Sequence, residues 1–402
     1  MQKQNIKAKK GEILFRSKLY EQQVEDKKIF EGEFDKDEII EVLKSRIDKS
    51  DVQFSELKAA GVMLSPFIEI GAERCQRSML LADKYCASGF SIDISYDSLK
   101  SADYFSHFFN FDKIPTRVCC DVYNLPFRNS SFAFAFCYET LHHFPDPAPI
   151  IKEIKRVLGV GYFFFDEEGT KQLIKLGLYK QVDVKQQKKS VIRKIFDHFF
   201  SAVTPREEEF GIIENKDIPI ENWERALGIF DKRDIKLYVP KGFSCTTQER
   251  ILSCNLNSSK LSDIIKRLII HVSGGIISGL CFSKEKSTPC TDSLFDLLAC
   301  PNCLEVEDVC DSKTCELECI KVCKSKATKI RNGKAIIIEE KCGLCNECMY
   351  ACPLRAINKP QLFKKDRKLL CHKCGKEYPI VNDIPILFEN RKEDLYSRFW
   401  QV

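Results

Sequence analysis

Between residues 66 and 168, short apolar runs alternate with longer amphipathic ones, and this pattern narrows the possible folds more than any other feature of the chain. The apolar runs "PFIEIG", "GFSIDIS", "TRVCCD", "SFAFAFCYE" and "GYFFFDEE" read as five strands. Between them stand "RCQRSMLLADKY", "YDSLKSADYFSHFF" and "APIIKEIKRVL", whose apolar residues recur at helical spacing. A strand that returns to its sheet through a helix of about 10–15 residues lies parallel to its predecessor, with a right-handed crossover. Helices then cover both faces of the sheet, so its strands are apolar on both sides. The expected class is α/β, with a Rossmann-like doubly wound sheet.

The flanks extend this unit. "DKDEIIEVLKSRIDK" (35–49) has helical periodicity, and residues 1–54 are expected to form an N-terminal helical segment. Helices are also expected at 189–200 and 221–230, and strands at "DIKLYVP" and 275–283 would complete a seven-stranded sheet. The most apolar stretch, "LIIHVSGGIISGLCF" (268–282), is short for a membrane span and is interrupted by "SGG". It reads as a helix end, a turn and a buried strand, with a membrane hairpin as the competing reading. The α/β domain is expected over 55–285, with its boundary in the polar segment "SKEKSTPCTDS" (283–293).

In a doubly wound sheet, ligands bind beyond the carboxyl ends of the strands. The residues there are Glu69 and Gly71, then Asp93, then Asp121, then Tyr138 to His143. A carboxylate ending the second strand can accept from both hydroxyls of a ribose, and an acid after the third suits an adenine amino group. In order and spacing, "FIEIGAERCQRS", "SIDIS", "CCDVYNLPF", "SFAFAFCYETLHHFPDP" and "KEIKRVLGVGYFFF" resemble class I S-adenosylmethionine-dependent methyltransferases, strongly over 60–170 and more weakly to 285. The resemblance implies methyltransferase activity with S-adenosyl-L-methionine as cofactor. It places Glu69 and Gly71 near the methionine part, Asp93 on the ribose, and Asp121 and Val122 beside the adenine. It places Tyr138 and Glu139 on the cofactor floor, with His142 and His143 facing the substrate.

One departure from the family stands out. Its turn reads E/D-x-G-x-G-x-G, and here the second and third glycines are Glu73 and Cys75. Glycine lets backbone approach a ligand closely. Glu73 would either obstruct the cofactor or bind its ammonium group, and Arg74 could meet its carboxylate. The sulfonium is already activated, so the enzyme mainly aligns a nucleophile and excludes water. A base is needed only for a protonated nucleophile, and the imidazole of His142 or His143 titrates in the right range. The plainer reading of these two histidines is a helix cap and a packing residue.

Cysteine dominates the C-terminal quarter. Of 21 cysteines, twelve lie between Cys300 and Cys374. Cys342-x2-Cys345-x2-Cys348-x3-Cys352-Pro353 has the spacing that wraps an iron–sulfur cube. Upstream stands the looser Cys310-x4-Cys315-x3-Cys319-x3-Cys323, and "ATKIRNGKAIIIEEK" between the two can supply a hairpin. Residues 308–359 resemble a bacterial-type ferredoxin with two 4Fe-4S clusters, of α+β fold. The resemblance assigns Cys310, Cys315, Cys319 and Cys352 to one cluster and Cys323, Cys342, Cys345 and Cys348 to the other; zinc is the alternative metal. No C-x3-C-x2-C occurs, which disfavours radical use of S-adenosylmethionine.

Two knuckles, Cys300-Pro-Asn-Cys303 and Cys371-His-Lys-Cys374, bracket this segment, and two knuckles make a tetrahedral zinc site. With "LFDLLACPNC" before and "KLLCHKCGKEYPIVNDIPILF" after, they resemble the small zinc-ribbon activators of tRNA methyltransferases. The ribbon would be split, over 293–307 and 360–395, around the ferredoxin insert. Further iron ligands, or a rubredoxin-like iron site, are the rival reading of these four cysteines. By the resemblance the ribbon docks on the methyltransferase through an apolar surface; Ile384, Ile386, Leu387 and Phe388 either supply that contact or form the ribbon's own core.

No long apolar run follows the basic start "MQKQNIKAKKGEILF", so no secretory signal is expected. Clustered cysteines without one favour metal over disulfides, in a reducing cytoplasm. A net charge of +5 permits RNA as a partner without arguing for it, and "FKKDRK" supports nucleic acid only weakly. The expected partners are a methyl-acceptor substrate, whose class no motif names, and a redox partner, with no membrane. A second reading makes the protein an electron-transfer or redox-sensing iron–sulfur protein on a degenerate methyltransferase scaffold, motivated by Glu73 and Cys75.

Overall fold

The computed structural model describes residues 2–21, 36–171, 212, 218–242, 246–285, 293–389 and 396. The expected helix at 189–200 lies outside them. The chain begins with α1 (Gln2–Tyr20) and α2 (Lys36–Ala59), then alternates β1 (Phe67–Ile70), α3 (Gln76–Lys84), β2 (Gly89–Asp93), α4 (Tyr96–Phe109) and β3 (Thr116–Cys120). β4 (Phe132–Tyr138), α5 (Ala148–Val157) and β5 (Leu158–Thr170) follow. These five strands pair in parallel in the order β3-β2-β1-β4-β5, with α3, α4 and α5 as crossovers and only a one-turn helix between β3 and β4.

β1 and β4 are buried along their whole length, which is why they read as continuous apolar runs. In β4, Phe134, Phe136 and Tyr138 face one side of the sheet, where Phe54 of α2 packs edge-on to Phe134 and Phe136. Ala135 and Cys137 face the other, among Ile150, Ile151 and Ile154 of α5. Side chains alternate faces along a strand, so a small–large alternation lets two unequal layers of helix pack against one strand.

The sheet continues through α6 (Ile220–Leu227), β6 (Lys232–Pro240), β7 (Arg250–Asn255), α7 (Leu261–Ser273) and β8 (Gly275–Lys284), in the order β5-β8-β6-β7 with every pair antiparallel. The expected seven strands are therefore corrected to eight. β7 is the edge strand, and of its residues only Cys254 is buried; with Ile251 and Leu252 adjacent, "RILSCN" shows no period-two alternation. The stretch 268–282 is the end of α7, a turn at Gly274 (φ 76°) and the buried strand β8. Among the described residues no helix is long and apolar enough to cross a membrane.

The cysteine-rich end holds β9 (Glu305–Val306), α8 (Glu318–Lys321), β10 (Thr328–Arg331), β11 (Lys334–Ile337), α9 (Glu347–Ala351) and β12 (Ile357–Asn358). β10 and β11 form the expected hairpin, turning on Asn332 and Gly333, both at positive φ. Then come β13 (Leu362–Lys365), β14 (Lys368–Cys371), β15 (Glu377–Val381) and β16 (Ile384–Leu387), an antiparallel meander. Its last strand joins the main sheet: β16 runs parallel to β3, with Ile386 opposite Cys119 and Leu387 opposite Cys120, so that one sheet counts twelve strands.

At this junction the residues of "DIPILF" divide between the two faces of β16. Ile384, Ile386 and Phe388 pack against Ala72, Met79, Tyr96, Leu99 and Cys119 of the α/β unit. Leu387, on the opposite face, packs in the cluster that contains Cys300, Cys303, Cys371 and Tyr378. That same cluster includes Val118 and Cys120 of β3, so both faces of β16 belong to cores shared with the α/β unit.

Candidate functional site

The turn after β1 decides whether the cleft survives the loss of two glycines. Gly71, Glu73 and Cys75 have φ of 68°, 49° and 61°. All three glycine positions of the turn are left-handed, two of them in residues that carry a Cβ, at a cost on the order of 1 kcal/mol each. The Glu73 N–H donates to Asp93 Oδ2 at 3.0 Å, and the Cys75 N–H to the Ala72 carbonyl at 2.7 Å. Gly71 has its own steric reason: a Cβ there would meet Thr140 at 2.6 Å.

The anticipated residues lie at the carboxyl ends of the strands or just past them. Glu69 is 3% exposed, and its Oε2 has no hydrogen-bond partner. Burial pushes its pKa up to about 7, against the Ser78 hydroxyl and the Arg77 charge. Asp93 also accepts from the Ser95 N–H at 2.8 Å, and burial raises it to about 6, with Arg16 acting in the opposite direction. Asp121 accepts from the Tyr123 N–H at 3.1 Å, at the start of the one-turn helix Val122–Asn124. Val122 is buried there. Tyr138 donates to Gln53 at 2.9 Å, and its ring lies under the Arg77 guanidinium, 4.0 Å from the centroid. Glu139 meets Arg46 at 3.3 Å.

His142 and His143 sit side by side, their ring centroids 4.5 Å apart. α5 has Pro147 at its N-cap and no side-chain cap hydrogen bond; ahead of it Asp146 accepts from the Ala148 N–H at 3.0 Å. His142 is instead fastened to Glu168. That carboxylate, fully buried, accepts from the N–H groups of Thr140, Leu141 and His142 and from His142 Nδ1, all at 2.9–3.0 Å. Burial disfavours its charge, yet His142 and the surrounding N–H groups hold its pKa below the usual range. A proton on Nδ1 leaves the basic lone pair of the ring on Nε2.

Sequence reasoning missed the residues that cover this cleft. Lys9, Glu12 and Arg16 share one face of α1, at helical spacing. Lys9 Nζ meets Asp121 at 2.5 Å, and Arg16 meets Glu12 at 2.8 Å and Glu73 at 2.5 Å. Glu73 also pairs with Arg74, and these cations hold its carboxyl well below the usual range despite burial. Ser17 donates to Asp97 of α4. Deeper in, Lys49 bridges Asp166 (3.0 Å) and Glu167 (2.5 Å). α1 gave only a narrow apolar signal: Phe15 and Leu19, one turn apart, are buried with Ile212, Ile13 packs against the cluster of Ala72 and Met79, and the rest of its docking is polar. The "DEE" ending β5 did carry a signal, three consecutive acids at the carboxyl end of a buried strand.

Among the cysteines, those of the two knuckles converge. The sulfurs of Cys300, Cys303, Cys371 and Cys374 all lie within 4.8 Å of one another, with Cys300–Cys374 at 3.7 Å and Cys303–Cys371 at 3.6 Å. Tyr378 Oη lies 3.1 Å from the Cys300 sulfur. A second pocket is lined by Cys310, Cys315, Cys319 and Cys352, with Leu317, Ile330 and Ile357 among its apolar walls. The thiols of Cys342, Cys345 and Cys323 are the main charges acting on the Cys348 thiol, which burial pushes up to about 12. The two halves repeat: Leu317 and Asn346 are left-handed residues starting α8 and α9, each followed by Glu-Cys, and the N–H groups of Ala327 and Ala356 donate to Cys323 and Cys352.

Residues 68–165 match the family described as a methyltransferase domain. By that match this part of the chain is a methyltransferase domain. No curated protein matches the chain. Similar solved structures include the magnesium protoporphyrin IX methyltransferase of Synechocystis PCC 6803 with bound SAH, 12% identical with a TM-score of 0.37, over 67% of this chain and 94% of that one. An S-adenosylmethionine-dependent methyltransferase of Clostridium acetobutylicum is 11% identical, with a TM-score of 0.37, over 67% and 99%. Phosphoethanolamine N-methyltransferase 2 of Haemonchus contortus, in complex with S-adenosyl-L-methionine, is 13% identical, with a TM-score of 0.37, over 58% and 53%.

Proposed function

We propose that the protein is an S-adenosylmethionine-dependent methyltransferase with a zinc ribbon docked in cis and an iron–sulfur module of two 4Fe-4S clusters inserted in the ribbon. The observation that carries the cofactor reading is Glu69 Oε2, a buried oxygen without a partner at the carboxyl end of β1. A buried acceptor left unpaired is costly, and an ammonium group in the cleft would satisfy it. When bound, the cofactor supplies a methyl group already activated on a sulfonium. Asp93 would hold the ribose, Asp121 and Val122 would flank the adenine, and Tyr138 would floor the cleft. Glu168 fixes the His142 ring, so that Nε2 can take a proton from an acceptor that carries one. α1 closes the cleft from above and keeps water out. Glu73 engages Arg16 and Arg74, and the left-handed turn survives, which makes the degenerate-scaffold reading the less favoured one.

The metal assignment rests on donor chemistry. Four sulfurs at about 2.3 Å from one zinc ion stand about 3.8 Å apart, close to the 3.6 and 3.7 Å between the knuckle sulfurs. The pocket of Cys310, Cys315, Cys319 and Cys352 brings three thiols of one motif together with the last thiol of the other, the crossing pattern of two-cluster ferredoxins. Anaerobic purification followed by iron, sulfide and zinc analysis tests this: about eight irons and one zinc per chain are expected. Zinc alone, at about three ions per chain, would overturn the iron–sulfur reading and leave the methyltransferase reading standing.

A further inference from the structure

The turn after β3 carries Asp121 and Val122 and ends in Asn124, which is 6% exposed. Four distant groups converge on the side chain of Asn124. Its Nδ2 donates to the Pro301 carbonyl at 2.9 Å and to the Glu389 carboxylate. Its Oδ1 accepts from Asn346 Nδ2 at 2.8 Å and from Lys359 Nζ. A primary amide offers two N–H donors and two lone pairs, and here each is used. Pro301 lies inside the first knuckle, between Cys300 and Cys303, while Asn346 lies between Cys345 and Cys348. Both cysteine centres therefore reach the turn beside the proposed adenine site through one residue.

We infer that Asn124 is a positioning residue that couples the cysteine-rich end to cofactor affinity, an inference that rests on the cofactor and cluster assignments proposed above. Asn346 is left-handed, at φ 60°, and its direction is set by the loop from Cys342 to Cys348. A cluster gripping Cys345 and Cys348 fixes that loop and so the aim of the Asn346 amide. When the amide is withdrawn, Asn124 Oδ1 keeps Lys359 alone, whose Nζ is shared with the Leu125 carbonyl at 2.8 Å. The turn then loses one of the ties that hold Asp121 and Val122 in register with Asp93. By linkage the effect runs both ways, so a ligand that orders the turn also stabilises one state of the cluster loop.

The test uses anaerobically purified full-length protein and S-adenosylhomocysteine as the probe. Asn346→Gly keeps the left-handed backbone and removes the amide, and Asn346→Asp keeps the shape and removes the donor. With iron content equal to wild type, each is expected to weaken S-adenosylhomocysteine binding by about 5-fold or more. In the wild-type protein, saturating S-adenosylhomocysteine is expected to alter the electron paramagnetic resonance spectrum of the reduced clusters, which requires no variant. Binding within twofold of wild type in both variants, with an unchanged spectrum, would overturn the inference, even if their melting temperatures fall. If wild-type protein itself binds no S-adenosylhomocysteine, the cofactor assignment fails first and the inference falls with it.

Discussion

The Arg16 guanidinium of the N-terminal helix meets the Glu73 carboxylate at 2.5 Å, at the point where the methyltransferase turn otherwise carries its second glycine. The substitution that interrupts the motif thus supplies the tie that holds α1 across the cleft. Arg16→Ala is expected to release this helix, raising amide hydrogen exchange over residues 6–20 while β1 to β5 stay protected. Protection of α1 equal to wild type would contradict this role.

Cofactor affinity should depend on pH through Glu69 and Asp93, whose pKa values burial raises to about 7 and about 6. Below these values both carboxyls are protonated and accept poorly from an ammonium or a ribose. S-adenosylhomocysteine affinity is therefore expected to rise between about pH 5.5 and 7.5, and Glu69→Gln should flatten the upper part of that rise. The sign for folding is opposite. A carboxyl whose folded pKa is raised binds its proton more tightly when folded, so these two groups stabilise the fold less as pH climbs from about 4 to 7. Isothermal titration across the range checks the first statement, and denaturant unfolding of wild type against Glu69→Gln checks the second.

Glu168 accepts four hydrogen bonds, and one of them sets the tautomer of His142. Glu168→Gln removes the charge and turns part of the side chain into a donor. Methyl transfer to an acceptor that loses a proton is expected to fall by roughly 10²-fold, with the S-adenosylhomocysteine dissociation constant changing less than threefold. A parallel loss of binding would assign Glu168 a structural role instead.

The junction of β16 with β3 buries Ile386 completely. Ile386→Ala is expected to cost about 2–4 kcal/mol in unfolding free energy. Phe363 on β13 is 49% exposed, and its replacement by alanine should change stability by less than about 0.5 kcal/mol. Equal effects from the two would show that β16 contributes no more to the core than an outer strand does.

The parallel half of the sheet was legible because β1 to β5 are buried on both faces, and such strands must be apolar throughout. The carboxyl-end residues Glu69, Asp93 and Asp121 were legible for the same reason, as the first charged positions after apolar runs. β7 was not, because an edge strand facing solvent has no need of apolar residues. α1 escaped notice because its buried Phe15 and Leu19 make only a narrow stripe, while Lys9, Arg16 and Ser17 bind it to carboxylates. The two alternatives for Ile384 to Phe388 could not be separated by sequence, because alternate residues of one strand face two different apolar clusters, both shared with the α/β unit. Asn124 gave no signal because its partners lie between 177 and 265 residues away.

The central claim, a working cofactor cleft behind an altered glycine turn, meets its most direct test in calorimetric titration of S-adenosylhomocysteine into anaerobically purified full-length protein. One site per chain is expected, weakened about 10-fold or more by Asp93→Ala through loss of a charged acceptor. Absence of binding by both S-adenosylhomocysteine and S-adenosylmethionine, in protein with its metals in place, would contradict it.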